Sequence, residues 1–147
     1  MAQTQSSRTI AAPVETVFDC VAHIQNFSNA IPDISKVEFL THSRRGVGTR
    51  FRETRVMKGR ESTTELEVTE YDQPHRIRLV SDEGGTVWDT VFTTKAVDDH
   101  TQLDLVMDAR PYKLWSRIVN PLFGRMISKA VEEDMDAVKA YCERGAQ

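Results

Sequence analysis

Apolar and polar residues alternate with period two through about half of the sequence, from about residue 35 to residue 110. Turn residues interrupt the alternation at Arg45-Gly46-Val47-Gly48, Lys58-Gly59, Asp72-Gln73-Pro74, Glu83-Gly84-Gly85 and Asp98-Asp99-His100. Such alternation is typical of strands with one buried face. Connections this short join antiparallel neighbours, because a parallel crossover needs about a dozen residues. The pattern predicts six strands, near residues 35–43, 49–58, 60–71, 76–82, 86–95 and 101–109.

The segments on either side of this alternation predict one more strand and three helices. Residues 4–11 have the composition of an edge strand. The backbone angle φ of Pro13 is already suited to a first helical position, and apolar residues at helical spacing follow it, so a short helix is expected there. A second short helix is expected over residues 24–30. A long amphipathic helix is expected over residues 112–144, where Asn120-Pro121 either kinks it or divides it into a short and a longer helix.

Together these elements predict an α+β architecture, a seven-stranded curved antiparallel sheet followed by one long amphipathic C-terminal helix. Two short helices lie between the first and second strands. One helix lying across a bent sheet does not fill all the space beneath it. The arrangement therefore favours a protein that holds a small hydrophobic molecule between the sheet and the last helix.

Composition and charge limit the alternatives. The chain has 147 residues, of which 39% are hydrophobic and 28% charged, and this predicts a single domain over residues 1–147. A net charge of -3 gives no general attraction to nucleic acid, and no segment approaches the ~20 apolar residues of a membrane span. Neither nucleic acid nor an integral membrane association is therefore predicted, and a cytoplasmic location is expected.

The sequence predicts no metal and no cofactor. Its two cysteines, Cys20 and Cys142, are too few for a zinc site or a disulfide framework and are expected to be reduced. Its four histidines do not have the spacing of metal ligands and are expected to lie at the surface. Gly46 and Gly48 join two strands and open no helix, which is the wrong context for a phosphate-binding loop.

The alternation also predicts which side chains face the interior of the sheet. The apolar candidates for a ligand site share this inward face or the apolar stripe of the last helix. They are Phe51, Met57, Leu66, Trp88, Phe92, Leu105, Met107, Leu122 and Met126. The polar candidates, which would orient a ligand, are Glu53, Arg55, Thr90 and Tyr112.

Glu53 and Arg55 permit two interpretations. Both share the inward parity of Phe51 and Met57, and unpaired charges are rarely buried. In the first interpretation this strand curls away from the core and both charges reach solvent. In the second, they line a pocket and contact the polar end of a ligand.

Two other functional classes stay open. A pocket carboxylate such as Glu53 could transfer protons in a cyclisation or dehydration, although a neighbouring Arg55 opposes the rise in pKa that burial causes. A protein-partner or membrane-surface binding module is the other class. Its basis is a run of basic residues around the single acid Glu53, namely Arg44, Arg45, Arg50, Arg52, Arg55, Lys58 and Arg60.

Several segments resemble one known group of proteins. They are Ile10-Ala11-Ala12-Pro13 with Glu15, Val17-Phe18-Asp19 and Val21, then Gly46-Val47-Gly48-Thr49-Arg50-Phe51, then Val68-Thr69-Glu70-Tyr71-Asp72-Gln73-Pro74-His75-Arg76, and the final helix. In this order they resemble the polyketide cyclase/dehydrase and lipid-transport family of the START and Bet v 1-like (SRPBCC) superfamily. The resemblance covers residues 4–144. It implies a helix-grip fold that encloses a cavity for a hydrophobic ligand, whereas substrate and activity vary among members.

Overall fold

The computed structural model describes the backbone of residues 2–113 and 121–145 and the side chains of residues 3–113 and 124–145. The elements follow in the order β1 (Ala2–Ile10), α1 (Val14–Ala22), α2 (Ile24–Ala30), β2 (Ile34–Phe39), β3 (Arg50–Met57), β4 (Arg60–Asp72), β5 (Arg76–Glu83), β6 (Thr86–Val97), β7 (His100–Pro111) and α3 (Pro121–Gly145). The predicted α+β architecture is confirmed, including the two short helices between the first two strands.

One antiparallel sheet contains the seven strands in the order β1-β7-β6-β5-β4-β3-β2. From β2 to β7, strands that are consecutive in the sequence also pair in space, as their short connections require. β1 pairs with β7 instead, so β1 and β2 form the two edges and the connection that contains α1 and α2 crosses one face of the sheet. Register shifts in β2 and β4 mark bulges, which bend these strands.

The N-terminus of α1 lies close to its predicted position. The sequence predicted Pro13 at the first helical position. The helix begins instead at Val14, and Pro13 is the extended residue that precedes it. Glu15 in the first turn interacts favourably with the positive end of the helix dipole. Val17, Phe18 and Val21 are buried, which confirms the predicted apolar face of the helix.

The C-terminal helix agrees with the prediction that a longer helix begins at Pro121, but not with a helical start at Tyr112. β7 continues to Pro111, and the backbone N–H of Tyr112 donates a hydrogen bond to the carbonyl of Gly85, so the predicted helical start at Tyr112 is wrong. The helix α3 begins at Pro121, and residues 114–120, which include Asn120, lie outside the described residues. Among the described residues, no helix is both long enough and apolar enough to cross a membrane.

Polar contacts fix α3 against the edge strand β1. Arg8 forms ion pairs with Glu132 at 3.0 Å and with Asp136 at 2.8 Å. Lys139 donates a hydrogen bond to the carbonyl of Thr9. These contacts hold the helix across the concave face of the sheet, where it covers the interior.

The hydrophobic core lies between this face, α1 and the C-terminal half of α3. Its most fully buried large side chains are Phe18, Ile10, Ile31, Ile77, Leu103 and Met135. Cys20 and Cys142 are both buried in this core and are free. The core fills the end of the interior next to the C-terminal half of α3. Nearer the N-terminus of α3, the inward side chains are only half-buried.

The surface position predicted for the histidines is wrong for His23. His42 and His75 are exposed, but His23 is buried between α1 and α2, and its Nε2 lies 3.0 Å from the Tyr71 hydroxyl. The turn between two short helices brings the imidazole inward, and Tyr71 supplies its polar partner. The nearest carboxylate, on Asp19, lies 3.8 Å from Nδ1.

His23 predicts a loss of stability in mild acid. Burial lowers the pKa of His23, and the nearby charge of Arg45 lowers it further. The unfolded chain therefore takes up a proton near the ordinary histidine pKa of about 6.5 while the folded protein resists it, so the free energy of unfolding falls as the pH drops through this range. Urea denaturation between about pH 7.5 and pH 5.5 should show a smaller loss for His23→Gln than for the wild type. The exposed-site control His75→Gln should behave like the wild type, and equal losses in all three proteins would contradict the assignment.

Candidate functional site

A cavity of about 410 Å³ lies between the concave face of the sheet and α3. Inward side chains of β3 to β7 form its floor, and Ile127, Ala130 and Val131 of α3 form its roof. Val21, Ile24 and Phe27 close the end next to α1 and α2. The lining is mainly apolar, with polar groups grouped around β3, β4 and β5.

Most of the predicted site residues line this cavity. They are Phe51, Glu53, Arg55, Met57, Leu66, Trp88, Thr90, Phe92, Leu105 and Met107. Register explains their convergence: Phe51 faces Leu66 across β3 and β4, and Phe92 faces Leu105 across β6 and β7. Because side chains alternate between the faces of a sheet, these inward-facing residues of β3, β4, β6 and β7 meet on the concave side.

Two predicted site residues lie elsewhere. The side chain of Tyr112 is not on the final helix; it is 49% exposed, and its hydroxyl donates a hydrogen bond to Asp82 at 2.8 Å. Met126 is 67% exposed on α3, because the apolar stripe that faces the sheet contains Ile127 and Val131 instead. The side chain of Leu122 lies outside the described residues.

Glu53 and Arg55 line the cavity, as the second interpretation predicted, and do not reach solvent by a strand that curls away. The Arg55 guanidinium donates a hydrogen bond from Nε to Glu53 at 3.1 Å and two further bonds, at 3.1 and 3.0 Å, to the two carboxylate oxygens of Asp134. The side chains are 12% (Glu53), 20% (Arg55) and 21% (Asp134) exposed, and all three line the cavity. The pairing explains how charges occupy an inward face, since each carboxylate has a cationic partner.

The cavity environment changes the pKa values of this group. Burial raises the pKa of Asp134, and the facing charge of Arg55 opposes that rise. Burial acts to lower the pKa of Arg55, but the charges of Asp134 and Glu53 outweigh it and hold that pKa above its ordinary value. Arg55 is therefore a permanent cation bound by two carboxylates.

Five polar lining residues were missing from the predicted site, namely Ser62, Thr64, Ser81, Glu83 and Asp134. Asp134 lies three residues after Val131 and four before Val138, both buried, so it occupies the apolar stripe of α3 and the helical period alone could have identified it. Ser81 shares the inward parity of Ile77 and Leu79 on β5. A serine near a predicted strand end gives only a weak signal, because such positions are commonly solvated.

Three of the seven basic residues in the run, Arg50, Arg52 and Arg55, pair with acids. Arg50 pairs with Glu65, and Arg52 pairs with Glu38 at 3.0 Å on the convex face of the sheet. Arg44 lies over the ring of Phe39, 4.7 Å from its centroid. These contacts account for much of the run as cross-strand pairing, which stabilises the sheet.

No group of three or more potential metal ligands converges among residues 2–113 and 121–145. The polar part of the cavity contains carboxylates and hydroxyls around one guanidinium, an arrangement suited to hydrogen bonding. Such a site can enclose an apolar molecule and form hydrogen bonds with a polar group of that molecule.

Comparison with solved structures shows the same fold over almost the whole chain. A protein from Thermus thermophilus superposes with a TM-score of 0.80 at 18% identity, covering 99% of this chain and 100% of the other. A START superfamily protein from Mycobacterium smegmatis gives 0.79 at 15% identity and covers 97% of each chain. The di-domain ARO/CYC BexL from the BE-7585A biosynthetic pathway gives 0.76 at 17% identity, covering 99% of this chain and 50% of the other.

One sequence comparison identifies a family, and the other finds no match. No curated protein matches this chain significantly. The family profile described as polyketide cyclase / dehydrase and lipid transport matches residues 1–143. With the helix-grip architecture of START and Bet v 1-like proteins, this match places the chain in the polyketide cyclase / dehydrase and lipid transport family.

Proposed function

We propose that this protein binds a small hydrophobic molecule in the cavity between the sheet and α3 and carries it without chemical change. The observation that supports this most directly is a space of about 410 Å³ with walls from Phe51, Leu66, Trp88 and Phe92. Each 100 Å² of apolar ligand surface withdrawn from water contributes roughly 2.5 kcal/mol. Such a wall therefore gives useful affinity to many apolar molecules of suitable size.

The family description agrees with this proposal. It names lipid transport beside polyketide cyclase and dehydrase, and lipids are largely apolar molecules. BexL is an ARO/CYC of a biosynthetic pathway, so a related fold takes part in biosynthesis. These proteins share the fold with this chain at low sequence identity. They therefore support the proposal of a cavity for an apolar ligand, but they do not indicate a particular reaction.

A carrier agrees better with the polar groups than an enzyme does. An effective general base needs a carboxylate whose proton affinity is raised and whose oxygens are available to substrate. Burial raises the pKa of Asp134, but both of its carboxylate oxygens accept hydrogen bonds from Arg55, and so does one oxygen of Glu53. If the protein is an enzyme that uses Glu53 as its base, Glu53→Gln should retain ligand and stop turnover, whereas a carrier has no turnover to lose.

Native mass spectrometry on protein purified without detergent tests the proposal. We expect a fraction of the protein to carry added mass that solvent extraction releases as a small apolar molecule. Protein stripped by extraction and refolded should then bind the uncharged dye Nile red with enhanced emission. A stripped, folded protein that leaves Nile red emission unchanged would overturn the proposal.

A further inference from the structure

The Ser81 hydroxyl is a buried polar group for which the described residues provide no partner. The residue is 4% exposed and lines the cavity, and its Oγ atom forms no hydrogen bond within the described part of the chain. A hydroxyl that is buried without a hydrogen bond loses its hydration and gains nothing in return. A ligand group that bonds to Ser81 removes that cost, so this atom marks a position where the cavity favours a polar group.

Strand register places Ser81 beside the charged part of the cavity. Ser81 faces Trp88 on β6, and the pairing of Glu67 with Val80 sets it next to Leu66 on β4. Thr64 is the neighbouring residue of β4 on the same concave face, and it pairs with Glu53 on β3. A ligand that bonds to Ser81 therefore has its polar end on the part of the cavity floor that Thr64, Glu83 and Glu53 also line, while Phe27 and Phe92 at the opposite end provide apolar contacts.

Negative charge predominates at this end. Three acids line the cavity, Glu53, Glu83 and Asp134, and among the described lining residues Arg55 is the only base. Arg55 is already occupied, because it donates to both Glu53 and Asp134. The hydrogen bonds of Glu53 within the described residues leave its Oε1 atom as an acceptor for a ligand.

From the unbonded Ser81 hydroxyl and this excess of acids, we infer that the cavity selects an apolar molecule whose polar group donates a hydrogen bond and is not negatively charged, such as a hydroxyl or an amine, and rejects carboxylates. The inference rests on the proposed function, since it names the class of molecule that the same cavity takes.

The physical reason is the local balance of charge. A ligand carboxylate would face the acids of the cavity without a free cation to neutralise it, and like charges repel strongly in a partly desolvated site. To gain Arg55 it would have to displace Asp134 from a two-bond contact and leave that acid unpaired. A hydroxyl or ammonium group instead donates to acceptors that are already in place.

Three ligands with the same alkyl chain separate the effect of charge from that of apolar burial. Decanol, decylamine and decanoate, each below its micellar concentration and near neutral pH, are tested as competitors of Nile red. Any ion loses hydration on entering a cavity, so a purely apolar pocket would weaken decylamine and decanoate alike. We expect decylamine to bind about tenfold or more tightly than decanoate because of the sign of its charge.

Substitutions assign the effect to named groups. Glu53→Gln keeps the size of the side chain and removes one charge, so the preference for decylamine should shrink severalfold. Glu83→Gln at the exposed mouth should shrink it in the same direction and is a second variant that leaves the Arg55 pair intact. Glu38→Gln is the matched control, because Glu38 also pairs with an arginine but lies on the convex face.

A second pair of variants tests the hydroxyl. Ser81→Ala should weaken decanol binding roughly threefold to tenfold through the loss of one hydrogen bond. Ser7→Ala, on the convex face where it bonds Asp104, should leave decanol binding unchanged. Equal effects of the two substitutions would remove Ser81 from the site.

The outcomes distinguish this inference from the proposed function. If Nile red binds and decanoate competes as well as decylamine, the charge selectivity is wrong and the carrier proposal stands. If neither Nile red nor any of the three ligands binds to the folded protein, the proposed function itself fails.

Discussion

Replacing Trp88 with aspartate is expected to abolish uptake of apolar ligands. Trp88 lies in β6 between Ser81 of β5 and Ala109 of β7, and its side chain forms part of the cavity floor. The substitution removes a large aromatic surface and adds an acid to a site where acids already predominate. A charge cannot be placed in an apolar wall without losing hydration. Nile red affinity should fall about a hundredfold or more, which corresponds to roughly 2.7 kcal/mol.

Trp88 is a better position for this test than Phe92. Phe92 is buried and packs edge-on against Phe27 with ring centroids 6.1 Å apart, so a charge there would disturb the core. Trp88 is only half-buried, and the fold should tolerate its loss. Met126→Asp is the matched control, because Met126 is an exposed apolar residue outside the cavity lining. Unchanged dye affinity in a folded Trp88→Asp protein would contradict the assignment of the site.

The strands were predictable because their signals are local. Alternation along β3 to β7 and the turn residues between them are properties of neighbouring residues, and antiparallel hairpins need no long-range information. The same parity identified the cavity floor, including Phe51 and Trp88. The family resemblance added the arrangement of the last helix over this floor, which alternation alone does not specify.

The errors arose where long-range contacts decide the structure. The helical pattern allowed Tyr112 to begin the last helix, but pairing with the β5–β6 turn keeps its backbone extended. Glu53 and Arg55 could be placed inward only with Asp134, which follows Arg55 by 79 residues in the sequence. His23 is buried because Tyr71, from β4, reaches it. In each case the missing information was the identity of a distant partner.

The partnership of Arg55 predicts the second large effect, on stability. Arg55→Met retains most of the aliphatic stem and removes the cation that Glu53 and Asp134 share. Two carboxylates would then face each other in a partly desolvated site. Breaking a buried ion pair from one side costs about 3–5 kcal/mol, and access of water to the cavity should bring the loss toward about 3 kcal/mol. Arg52→Met removes a cross-strand partner of Glu38 on the convex face, and loss of an exposed pair should cost at most about 1 kcal/mol.

Urea denaturation near neutral pH measures this difference in the free energy of unfolding, and acid provides a second test. Burial raises the pKa of Asp134 above that in the unfolded chain, and Arg55→Met removes the guanidinium charge that opposes this rise. The folded variant then binds more protons as the pH falls, so its deficit relative to the wild type should shrink as the pH approaches about 4. The Arg52→Met deficit should show no comparable recovery. An Arg55→Met variant as stable as Arg52→Met at neutral pH would mean that the two acids reach solvent, and the ion group would then not be part of an enclosed site.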